Sequence, residues 1–169
     1  MNYLFVVAAT VLRVIPHPWN VSPLAAMFLF SGSSFRNRRT SLLAPLAALL
    51  ISDFIATQVL HAGFGWFSPT KTIAFLLIGA IGWKLRDRIT AGRVAGASLA
   101  GSVVFFVVSN LGVWLGGVLY PRTLEGLAAC YVAAIPFFGG TLVGDLFYAA
   151  VLFGSWQWMA SRKRLPARA

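Results

Sequence analysis

Apolar residues fall in six runs separated by short polar breaks, at about 2–15, 22–35, 40–60, 69–84, 94–119 and 126–158. Runs of this length and apolarity predict membrane helices. The breaks carry their own signals. Pro16 and Pro18 bracket His17, so the first helix is expected to stop near Ile15, because proline cannot continue a helix and biases the preceding residue away from helical geometry. Ser22 followed by Pro23 predicts the next start, since serine caps free N–H groups and proline suits the first helical position. Trp66-Phe67-Ser68-Pro69 repeats this pattern before the fourth run, and Tyr120-Pro121-Arg122-Thr123 supplies a cap before the sixth.

The first two runs are short. Fourteen residues rise about 21 Å, less than the hydrocarbon core of about 30 Å. They either borrow length from their flanks or form a re-entrant pair. The last run is overlong, with Pro136 and the pair Gly139-Gly140 as places to bend it or split off an entry piece.

Composition fits this picture. Of 169 residues, 59% are hydrophobic and 11% charged, against roughly 25% charged in a soluble domain. The expectation is an all-α polytopic membrane bundle of about six transmembrane helices, forming one domain over 1–169. The net charge of +10 does not point to nucleic acid, because the basic residues sit in short clusters between apolar runs. Arg36, Arg38 and Arg39, then Lys84, Arg86, Arg88 and Arg93, then Arg162, Lys163, Arg164 and Arg168 all fall on one side of a six-span chain. Arg13, Lys71 and Arg122 fall at or near the other. That bias predicts both termini, including the basic tail 161–169, in the cytoplasm. The N-terminus has no basic n-region, so no cleaved signal peptide is expected. The single cysteine, Cys130, allows no intramolecular disulfide and no cysteine metal cluster.

Ionisable residues inside membrane spans are costly and are functional candidates by default. Arg13, Asp53 and Asp145 are the clear ones. Asp53 has Thr57 and His61 at i+4 and i+8; Asp145 has Thr141 at i−4 and Tyr148 at i+3. Arg13 is expected to pair with Asp53 or Asp145, and such a pair has a purely structural reading as a clamp on the bundle. Asn110, flanked by Phe106 and Trp114 one turn away on either side, reads as a ligand contact or as an interhelical hydrogen bond. The outer breaks collect His17, Trp19, Asn20, His61 and Trp66, with the tryptophans also readable as an interfacial aromatic belt. Two histidines with no third ligand make a weak metal signal, and no metal or cofactor is expected. The helix N-termini with Arg13, Lys71 and Arg122 favour anionic or carbonyl groups on a ligand, the aspartates an amine, and the aromatics a planar ring. Small residues recur at four-residue spacing in Ala44/Ala48, Gly92/Gly96/Ala100, Ala97/Gly101, Gly112/Gly116 and Gly140/Gly144, which permits close helix approach. No catalytic set and no nucleotide-binding motif emerges, so no enzyme is expected.

The pattern Pro16-His17-Pro18-x-Asn20-x-Ser22-Pro23-x-Ala25-Ala26-x-x-x-Phe30-x-Gly32, with Ser52-Asp53 later, resembles an uncharacterised family of small bacterial membrane proteins. That family looks like the substrate-binding S components of energy-coupling-factor (ECF) vitamin transporters. The resemblance implies a six-helix bundle in the bacterial inner membrane that captures a vitamin or similar micronutrient near the outer face. It also implies a transmembrane coupling protein with two ATPases as partner, and release of ligand inside by toppling of the whole S component. The small-x-x-x-small docking pattern of the first S-component helix is absent here, because Ala8 and Ala9 are followed at i+4 by Leu12 and Arg13. The substrate-binding set expected is Arg13, His17, Trp19, Asn20, Asp53, His61, Trp66, Asn110, Trp114 and Asp145. The competing readings are a self-contained proton-coupled carrier using Asp53 or Asp145, and a non-transporting membrane scaffold or accessory subunit.

Overall fold

The computed structural model describes residues 2–14, 21–58 and 68–163. Six α-helices account for nearly all of them: α1 (Asn2–Val14), α2 (Leu24–Ser34), α3 (Arg38–Gln58), α4 (Pro69–Gly82), α5 (Ala91–Gly116) and α6 (Leu124–Lys163). A single 3₁₀ turn, Trp83–Leu85, follows α4.

The helices fall on the six expected runs, with shifted ends. Pro23 sits just before α2 in helical geometry, and the Leu24 N–H donates to Ser22 Oγ at 3.4 Å. Ser68 and Pro69 stand at the start of α4 as expected, but the Ser68 side chain makes no capping hydrogen bond. Thr123 caps α6, accepting from the Gly126 N–H at 3.1 Å. Thr90 caps α5 three residues earlier than the apolar run suggests, accepting from the Arg93 N–H. The same helix stops at Gly116 rather than 119, because Gly117 takes a left-handed φ of 69° that glycine adopts without steric cost. The last run does not split: α6 continues through Pro136 as one helix of 40 residues.

α2 is the core. Every residue from Leu24 to Ser33 is buried, and α1, α3, α4, α5 and α6 all pack against it. A helix apolar on all faces is stable only when surrounded. At 11 residues α2 rises roughly 16 Å, too short to cross a bilayer alone, and its enclosure by protein removes the need. Phe28 stacks on Phe75 of α4, with ring centroids 5.4 Å apart, and Phe30 meets Phe153 and Trp156 of α6 edge-on.

The C-terminal carbonyls of this enclosed helix are capped by side chains distant in sequence. Arg86 donates to Gly32 O at 2.9 Å, to Arg36 O at 3.4 Å and to Ser41 Oγ at 3.4 Å. Asn2 donates to Ser34 O at 2.6 Å. Burial, and then the charge of Arg38, lowers the Arg86 pKa from its ordinary value. A cation at a helix C-terminus also complements the macrodipole.

The outer faces of the helices are apolar. Tyr3, Leu4, Val7 and Val11 on α1, Ile51 and Phe54 on α3, and Val132, Ile135, Phe137, Val143 and Phe147 on α6 are exposed. Among the described residues, only α5 and α6 are long and apolar enough to cross a membrane by themselves. In their most apolar stretches 22% and 11% of residues are buried inside the protein, so these are not core helices of a soluble domain. That supports a membrane location.

Candidate functional site

Polar side chains gather at the end of the bundle where α1 and α3 finish and α2 and α4 begin. Arg13, in the last turn of α1, reaches α3. Leu49, Ser52 and Asp53 stand at i, i+3 and i+4 on one face of that helix, and Arg13 donates to all three: to the Asp53 carboxylate, to Ser52 Oγ, and to Leu49 O at 3.5 Å. The side chains of Arg13 and Asp53 are 14% and 24% exposed, so both charges are largely removed from solvent and compensate each other.

Asp145 has a different environment. Its residue is 5% exposed, and Ser102 of α5 donates to Oδ2 at 2.6 Å. The serine sits one turn beyond Ser98, whose carbonyl lies 3.1 Å from the same hydroxyl. No cationic group lies within 4.0 Å of Asp145 among the described residues.

A cavity of about 260 Å³ lies between these groups, and all six helices contribute to its lining. Arg13 comes from α1, Leu24 from α2, Asp53 from α3, Lys71 from α4, Phe105 from α5 and Asp145 from α6. The start of α4 adds Ser68 and Thr72, whose hydroxyl donates back to Ser68 O at 3.1 Å. Phe75 and Phe105 form an apolar wall, with ring centroids 5.1 Å apart and an interplanar angle of 31°. For scale, an engineered apolar cavity of about 150 Å³ takes up benzene.

Of the expected binding residues, the cavity unites Arg13, Asp53 and Asp145, with Thr141 beside the last. Asn110 and Trp114 do not line it. Asn110 donates to Phe106 O of its own helix at 2.8 Å. Trp114 donates to Pro121 O at 3.1 Å and Thr123 O at 3.2 Å, tying the end of α5 to the start of α6. His17, Trp19, Asn20, His61 and Trp66 lie outside the described residues. Among the described residues no three potential metal ligands converge. Ser102, Phe75 and Phe105 were not legible as site residues. The i, i+4 serines of α5, 98 and 102, were the available signal.

The molecule is thus a helical bundle with an apolar exterior and a charged cavity at one end. The chain belongs to a family of unknown function, DUF6580, whose model matches residues 1–168. No curated protein and no solved structure matches it.

Proposed function

We propose that this protein is a membrane-embedded substrate-binding subunit of the S-component kind, which captures a small micronutrient-like molecule in the cavity bordered by Arg13, Asp53, Lys71 and Asp145. The observation that supports this reading is the convergence of all six helices on one cavity where Arg13, Asp53 and Asp145 are largely withdrawn from solvent. The Arg13–Asp53 pair also holds the fold together, but a scaffold has no need for the further buried carboxylate of Asp145, whose desolvation is costly.

Orientation follows from charge. The basic clusters around Arg36, Arg86 and Arg162 flank the helix ends away from the cavity, so the positive-inside bias favours a cavity open to the extracytoplasmic side of the bacterial inner membrane. In this reading six helices cross or enter the bilayer and both termini are cytoplasmic. The chain carries no nucleotide motif, so uptake against a gradient calls for an ECF-type coupling protein with ATPases, or for a proton gradient acting on a buried carboxylate such as Asp145.

Two measurements test this. A cysteine introduced at Gly65 is expected to react with a membrane-impermeant maleimide in intact cells, and one at Thr90 only after permeabilisation. The reverse pattern would overturn the orientation. Protein purified from its native membrane is expected to carry a small organic molecule visible by native mass spectrometry. Accumulation of that molecule in protein-only liposomes on a proton gradient would replace the S-component reading with that of a carrier.

A further inference from the structure

The charges around the cavity do not balance locally. Arg13 and Asp53 neutralise each other through direct contact. Lys71 is exposed on the first turn of α4, where solvent screens it, and it makes no ion pair among the described residues. Asp145 is the charge withdrawn furthest from solvent, at 5% exposure, and coulombic interactions are strongest where the dielectric is lowest. An ionised carboxylate offers about four acceptor positions. Among the described residues Asp145 uses one, for the hydroxyl of Ser102. The residue lines the cavity, so its remaining acceptor capacity is open to an occupant.

The aromatic pair completes the chemistry. Phe75 and Phe105 present ring surface to the same space as the carboxylate. An occupant with an anionic group at the carboxylate would meet repulsion at low dielectric. A neutral one would leave Asp145 uncompensated. A small organic cation with a flat apolar body satisfies both features.

We propose that the cavity is selective for a protonated amine or ring nitrogen attached to a planar group, with the positive charge on Asp145 and the ring against Phe75 and Phe105. This rests on the reading of the cavity as a small-molecule site. Ser102 acts as a positioning residue: its hydroxyl holds Oδ2 and leaves Oδ1 for the ligand. No bond is made or broken, and binding is reversible ion pairing with ring contact.

The probes are benzylammonium and its neutral counterpart benzyl alcohol, measured by titration calorimetry on the full chain in detergent. Benzylammonium is expected to bind at least tenfold more tightly than benzyl alcohol. Asp145→Asn, which keeps the size and an acceptor for Ser102, is expected to abolish that preference while the protein still unfolds cooperatively near the wild-type temperature. Equal affinity for the two probes, or an undiminished preference in Asp145→Asn, overturns the inference. If Asp145→Asn does not fold, the comparison of the two probes on the wild-type chain decides alone. A copurified neutral or anionic small molecule that benzylammonium does not displace would overturn the cation selectivity and leave the binding role standing. No bound molecule together with no binding of either probe would overturn both.

Discussion

Replacement of Gly32 by alanine is expected to leave little folded protein in the membrane fraction. A Cβ at Gly32 runs into the carbonyl oxygen of Gly79, and its next neighbours are Gly79 C at 3.0 Å and Gly82 Cα at 3.1 Å. From the facing helix, a Cβ at Gly82 meets the carbonyl of Leu29, the Gly32 Cα at 3.0 Å and the Ser33 N at 3.1 Å. All of these are backbone atoms, so no rotamer change relieves the clash. α2 and α4 would have to separate, and α2 is held by neighbours on every side. Overpacking in an ordinary core costs about 1–3 kcal/mol. Against backbone the cost is expected at or above the top of that range, a large share of a total stability of roughly 5–15 kcal/mol. Gly96→Ala is the control. Nothing lies within 4 Å of its Cβ position, so its unfolding temperature is expected to stay near wild type. Both are read from thermal unfolding in detergent by fluorescence-detected size exclusion. A Gly32→Ala protein as stable as Gly96→Ala would mean that α2 and α4 do not cross at backbone contact.

That contact shows where sequence reasoning ends. Small residues four apart mark true close approaches at Gly101, whose Cβ would meet Ile78 at 3.4 Å, and at Gly144, whose Cβ would meet Val21 Cα at 3.0 Å, whereas the space beside Gly92 and Gly96 is open. The glycines at the α2–α4 crossing do not follow that spacing: Gly32 is alone on its helix, and Gly79 and Gly82 are three apart. Spacing identifies a face along which helices can approach, but which face turns inward depends on the whole bundle. α2 makes the same point. Its start was legible from Ser22 and Pro23, but the short run reads as a span borrowing length from its flanks or as part of a re-entrant pair. Only the arrangement of five neighbours around it decides for the core.

The site was legible to the extent that charge is expensive. Arg13, Asp53 and Asp145 stood out because ionisable groups in apolar runs require compensation, and all three line the cavity. Ser102 did not stand out, because a hydroxyl in an apolar helix can bond to its own backbone at little cost, and Ser98 O lies within reach at 3.1 Å. Asn110 stood out for its polarity, yet it meets its need by donating within its own helix. Capping of α2 by Arg86 was illegible for another reason: Arg86 belongs to a basic cluster whose reading as an orientation signal was already sufficient.

The choice of partner for Arg13 was also open in the sequence, and it carries the second large prediction. Arg13→Ala is expected to cost about 3–5 kcal/mol, the range for leaving a buried charge without its partner. The figure lies toward the lower end, because the Asp53 side chain is 24% exposed and solvent takes up part of the loss. The damage is expected to be repaired in part by Asp53→Asn in the same chain, since the amide removes the orphaned charge, while Asp145→Asn, close to neutral by itself, should give no repair. The coupling between positions 13 and 53 is expected at about 1–3 kcal/mol, as for residues in direct contact. Arg13→Lys should fall between wild type and alanine. A single ammonium can face Asp53, but it lacks the planar fork that serves Asp53, Ser52 and Leu49 O together. Double-mutant cycles on thermal unfolding in detergent measure each step. Strict additivity of the substitutions at 13 and 53, or rescue by Asp145→Asn instead, would show that the charge compensating Arg13 lies elsewhere. Because the pair also lines the cavity, the rescued double variant separates its two roles: it restores the fold without restoring either charge, so any loss of ligand that persists in it belongs to binding rather than to stability.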